Sequence, residues 1–120
     1  MLGEKKRRFI MSVYEFVVLY AGLHFLGDFA FQSAWMAMEK GKSFEVLIYH
    51  CLTYTAPFAV CISLIGGLTS YDPHTLSVPV ILGTHVVIDT CSARLKLMNI
   101  WQDQFCHLTV LLALLLVGWL

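Results

Sequence analysis

Residues 13–32 read "VYEFVVLYAGLHFLGDFAFQ", an apolar run that carries a histidine, an aspartate and a glutamine in its second half. At about 1.5 Å per residue, a helix of this length covers the roughly 30 Å of a hydrocarbon layer. His24, Asp28 and Gln32 follow one another at four-residue spacing, which puts all three on one helix face. A charged group at mid-bilayer costs about 2.5–3.5 kcal/mol on insertion scales. Such a stripe therefore belongs in the interior of a bundle, against other polar groups.

The rest of the chain supplies the bundle. Of 120 residues, 58% are hydrophobic and only 13% charged, and the mean hydropathy is +0.73. A soluble domain of this size cannot bury so much apolar surface, so the composition points to an integral membrane protein. The formal net charge is zero, and no nucleic-acid partner is expected. Apolar segments fall at residues 13–31, 44–65, 76–91 and 101–120, the third being the shortest. The short connections "SAWMAMEKGKS", "GGLTSYDPHT" and "SARLKLMN" make successive helices antiparallel neighbours. The expected fold is all-α, an integral membrane four-helix up-down bundle, with residues 11–120 as the transmembrane domain. Cys51, Cys61, Cys91 and Cys106 are scattered without a C-x-x-C pair, so neither a disulfide framework nor a zinc knuckle is expected.

Residues 1–10, "MLGEKKRRFI", read as a disordered basic tail or as a translated leader. Arg7-Arg8 can be encoded as a ribosome-binding sequence two residues before Met11, which makes Met11 the expected natural start. The positive-inside rule then places the loops with Lys40, Lys42, Arg94 and Lys96 in the cytoplasm of a bacterial cell, and the chain in its inner membrane.

The His-x-x-x-Asp spacing recurs. His85 and Asp89 repeat it on the third segment, and Asp103 and His107 reverse it on the fourth. The reversal suits helices that leave the surface at which the first and third arrive. Counted from that surface, His24, His50, His85 and His107 lie at one depth, roughly 9–14 Å in, with the aspartates nearer the surface. Imidazole and carboxylate are ligands for zinc, manganese and iron. Seven of them exceed one tetrahedral ion and suit two, each keeping a position open for water or substrate. The candidate metal set is His24, Asp28, His50, His85, Asp89, Asp103 and His107. The expected cofactor is a divalent transition metal, zinc first, with room for two ions. Interhelical hydrogen-bond glue and a proton relay use the same residue types and stand as alternatives.

Gln32 and Gln104 are candidates for holding ligands in place, and Tyr54 and Thr53 are weaker ones. Trp35, Trp101 and Tyr49 read as interface anchors. Gly22, Gly27 and Gly83 read as close-packing positions, Pro57 and Pro79 as kinks or helix starts, His74 as an exposed loop residue. The terminal "LTVLLALLLVGWL" reads as lipid-facing.

"LHFLGDFAFQSAWMAMEK", "YHCLTYTAPF", "THVVIDTCSARLK" and "DQFCH", in that order, resemble domain of unknown function 3307, small membrane proteins of bacteria and their phages. The resemblance implies a membrane protein and no particular activity. More weakly, the His/Asp pairs one turn apart are similar to those of zinc-dependent phospholipase C, S1/P1-type nucleases and small membrane proteins classed as metal-dependent hydrolases. That similarity implies hydrolysis of a phosphoester in a lipid or lipid-linked substrate, with Asp28, Asp89 or Asp103 as base; Lys40, Lys42, Arg94 and Lys96 are expected to ring the mouth and draw in an anionic head group. It also implies a tryptophan ligand that this chain lacks. A small metal-ion or proton transporter, and a noncatalytic phage or bacterial membrane protein with a structural polar cluster, are the rival expectations. Membrane lipid is the expected partner, and a bundle this small is a candidate to form homodimers.

Overall fold

The computed structural model describes residues 11–120; the leader expected at residues 1–10 lies outside them. The described residues are all-α, without strands: α1 (Val13–Phe25), α2 (Ala34–Glu39), α3 (Phe44–Leu68), α4 (Ser77–Asp89) and α5 (Ile100–Leu116). Each of the two HxxxD motifs runs into a π-helical turn, Leu26–Ala30 after α1 and Thr90–Arg94 after α4. Two of these stretches, Val13–Ala30 and Phe44–Leu68, are long and apolar enough to cross a membrane, while α5 is apolar but shorter.

Local chemistry sets the helix starts. Ser12 and Glu15 form a capping box on α1, and Asn99 and Gln102 form another on α5. Ser33 accepts from the Met36 amide and so starts α2, inside a connection expected to be irregular. Each cap satisfies amides that the first turn leaves open. Pro57 sits inside α3 without ending it.

α1 packs on α3 and α5, α3 on α4, and α4 on α5, which closes a ring of four helices; α2 lies against α3. At one end of the ring, Phe16, Tyr20, Phe58, Ile62, Ile65, Ile81, Leu111 and Leu114 form an apolar core. The C-terminus closes this end. Gly118 takes a positive φ of 79°, a backbone region open to glycine at little cost, and turns the chain back. The Trp119 carbonyl then accepts from the His74 amide at 3.0 Å, and Leu120 is buried. Burial pushes the Tyr71 phenol up, so it stays a donor, to the Leu120 carbonyl. His74 is exposed and stacks on Trp119. The terminal segment is thus not merely lipid-facing, because Leu111, Leu114 and Leu120 fill the core.

Of the three glycines expected at close contacts, only Gly27 makes one. A Cβ there would lie 2.8 Å from Tyr54 Cδ2 and 3.1 Å from the Tyr54 Cα and carbonyl oxygen, whereas nothing lies within 4 Å of such a carbon at Gly22 or Gly83. Gly27→Ala should destabilise the fold by about 1–3 kcal/mol through forced backbone displacement. Gly22→Ala should be neutral or stabilising, and thermal unfolding of the two variants compares them.

Candidate metal centre

At the other end of the ring the seven polar residues converge. His24, Asp28, His50, His85, Asp89, Asp103 and His107 are all buried, none above 8% exposed. They come from the end of α1 and its π turn, the second turn of α3, the end of α4 and the first two turns of α5. The π turns help to aim the aspartates. Phe31 N bonds Leu26 O at 2.8 Å and Leu95 N bonds Thr90 O at 3.0 Å, five residues apart, which widens the helix in the turn that carries Asp28 and in the turn that follows Asp89. Such turns are frequent at functional sites.

Two groups of donors form. Asp28, His50, His85 and Asp89 present one ligand atom each within 4.8 Å of one another, and Asp28, Asp103 and His107 do the same. In the first group His50 Nε2 lies 3.1 Å from Asp28 Oδ1, 3.1 Å from His85 Nε2 and 3.3 Å from Asp89 Oδ2. His85 Nε2 lies 3.7 Å from both Asp28 Oδ1 and Asp89 Oδ1. Four ligands at about 2.0–2.1 Å around a tetrahedral ion are roughly 3.3 Å apart, and these spacings bracket that edge. In the second group His107 Nε2 is 3.6 Å from Asp103 Oδ1. That Asp103 oxygen is buried without a hydrogen-bond partner. A buried anionic oxygen is costly unless something positive meets it, so the donor chemistry fits a cation. Asp28 belongs to both groups.

His24 stands apart from both groups. Its Nε2 donates to Gln104 Oε1 at 2.7 Å and its Nδ1 then accepts from the Tyr54 hydroxyl at 2.8 Å. Gln104 Nε2 in turn donates to Asp28 Oδ2 at 2.8 Å and Asp103 Oδ2 at 3.0 Å. The chain Tyr54–His24–Gln104 therefore orients two donor carboxylates from behind, the kind of outer support that metal ligands need. Tyr54 also stacks on the His85 ring at 3.7 Å between centroids. His50 lacks such support, its Nδ1 being buried without a partner. Gln32 Oε1 is likewise unpartnered, and Thr53 turns back to the Tyr49 carbonyl.

The four loop cations do not form a ring at the mouth. Lys42 pairs with Glu39 at the surface, Arg94 sits over the Phe44 ring, and Lys96 is exposed. Lys40 alone enters, its ammonium 2.8 Å from Asp89 Oδ2 and 3.4 Å from His50 Nε2. Gly41 makes this entry possible, since a Cβ there would come within 2.6 Å of the Ala93 carbonyl oxygen in the π turn after α4. Tyr54 was legible from sequence because it stands four residues after His50, on the same face of α3. Lys40 carries no such signal, because it lies at the end of a one-and-a-half-turn helix whose direction only the fold sets.

Fold and site together define an all-α protein with a buried His/Asp cluster that could hold a metal ion, and with two helices fit to cross a membrane. The chain belongs to the family described as protein of unknown function (DUF3307), whose model matches residues 16–120. Neither the curated proteins nor the solved structures contain a match.

Proposed function

We propose that α1, α3, α4 and α5 span the bacterial inner membrane as a four-helix bundle formed by residues 11–120. We further propose that the cluster holds two divalent transition-metal ions, zinc first, and that it hydrolyses a phosphoester of a lipid or lipid-linked substrate. The carrying observation is the sharing of Asp28 between two buried donor groups, the arrangement a carboxylate bridging two ions requires. Exposed Trp35, Trp101 and Tyr49 near the site end support a membrane interface at that level. By the positive-inside rule that face is cytoplasmic.

Bound ions would supply Lewis acidity toward a phosphoryl oxygen and an activated water. The chain's own groups do the rest. Lys40 reaches the mouth with a cation for the phosphate. Asp103, the most exposed of the three aspartates at 8%, is placed to take a proton at the surface side. Gln104 and His24 hold Asp28 and Asp103 in place. The His/Asp pairs resemble those of zinc-dependent phospholipase C, which favours phosphoester chemistry. A transporter would need a continuous polar path onward, but beyond Tyr54 the buried polar groups are few, Thr55, Ser77 and the Tyr20 hydroxyl, set among apolar side chains.

Zinc-loaded protein in nanodiscs containing phosphatidic acid should release inorganic phosphate. Asp103→Asn, which takes away a proton acceptor and a metal ligand together, should lower the rate by about 10²-fold or more. Zinc-loaded wild type that releases no phosphate would contradict the hydrolase reading.

A further inference from the structure

Between α1 and α5 an apolar furrow runs down from the metal centre. Its upper part, a cavity of ≈ 430 Å³, is lined by Phe25, Phe29, Trp101, Gln104, Phe105 and Leu108 among others. Its lower part, ≈ 240 Å³, continues past Leu108 along Val17, Ala21, Leu112 and Leu115. The lining follows one stripe on each helix: Val17, Ala21, Phe25 and Phe29 at four-residue spacing, facing Trp101, Phe105, Leu108, Leu112 and Leu115. Ala21 keeps the middle of the furrow open.

Two features separate this furrow from ordinary lipid-facing surface. Its upper lining includes Gln104, the side chain that donates to Asp28 and Asp103, so apolar groove and donor cluster are continuous through one residue. It also runs along the helix axes. From Trp101 to Leu115 the wall is ~21 Å long at 1.5 Å per residue, enough to take a chain that crosses one leaflet, about half of the roughly 30 Å hydrocarbon thickness. We propose that the furrow binds one hydrocarbon chain of a phosphate-bearing membrane lipid whose head group lies at the metal centre. The proposal rests on the membrane and phosphoester reading above and names the substrate's mode of entry, sideways from the bilayer between α1 and α5.

The probe is phosphatidic acid with a photoreactive diazirine on one acyl chain, in phosphatidylcholine nanodiscs with zinc-loaded protein. Adducts should concentrate on Val17, Ala21, Leu108 and Leu112, and excess unlabelled phosphatidic acid should compete them away. Ala21→Trp, and separately Leu112→Trp, should cut this labelling roughly tenfold or more, as filling an apolar pocket does, with zinc content retained. Val60→Trp, on the exposed face of α3, should not. Labelling spread over all faces, or equal labelling by diazirine phosphatidylcholine, would overturn the proposal in favour of bulk lipid. Cross-linking of α5 to α5 between two copies, with no furrow adducts, would overturn it in favour of a dimer interface. Labelling reads binding and not turnover, so competed furrow adducts without phosphate release would sink the hydrolase reading alone.

Discussion

Asp28→Asn should remove both equivalents of bound zinc, whereas Asp103→Asn should remove one. The asymmetry follows from geometry. Asp28 contributes an oxygen to each donor group, while Asp103 belongs only to the group with His107. Asn keeps the shape and one acceptor oxygen but no charge. Without Asp28, the first group retains two histidines and Asp89, and the second retains one histidine and Asp103. Neither then has a bridge to hold two ions close together, where their mutual repulsion is largest. His50→Ala, in the first group only, should likewise cost one equivalent. Zinc per protein, measured by mass spectrometry after gel filtration, separates Asp28→Asn from the other two. Equal losses in Asp28→Asn and Asp103→Asn would show that the two groups do not share a carboxylate.

Lys40→Met should destabilise the metal-free protein and tighten zinc binding. Its ammonium is the sole side-chain cation among the described lysines and arginines that pairs with a cluster carboxylate, 2.8 Å from Asp89, with the pair 14% and 1% exposed. Breaking a buried pair by removing one partner typically costs about 3–5 kcal/mol. The partial exposure of Lys40 puts the expected loss near the low end, about 3 kcal/mol, or a midpoint at least ~10 °C lower. In the metal-loaded protein Asp89 has another cation, so the loss should shrink. By linkage, whatever the metal-free state loses and the loaded state keeps appears as affinity: about 3 kcal/mol is roughly 100-fold in Kd. Thermal unfolding with and without zinc, and competitive zinc titration, check both halves. An equal drop in both states would mean that Lys40 supports the fold rather than standing in for a metal.

Much of this was legible in the chain. The four long helices follow from the apolar runs, and the convergence of His24, Asp28, His50, His85, Asp89, Asp103 and His107 follows from four-residue spacing and matched depth. Periodicity reports a face, however, not a partner. It could not separate His24, which is engaged by Tyr54 and Gln104, from the histidines that face the carboxylates. The π turns after Phe25 and Asp89 were invisible, because a five-residue bond register leaves no mark in apolar sequence. α2 was hidden by its length, and with it the path of Lys40 into the site. The close contacts at Gly27 and Gly41 depend on which helix or loop lies opposite, which only the assembled ring determines.

The most direct test is X-ray absorption at the zinc edge on protein purified from the membrane and loaded with zinc. The spectrum should show a shell of nitrogen and oxygen only, at about 2.0–2.1 Å with imidazole scattering, and a metal–metal vector at roughly 3.5–4 Å. Protein that binds no zinc, or a shell containing cysteine sulfur, would contradict the proposed metal centre.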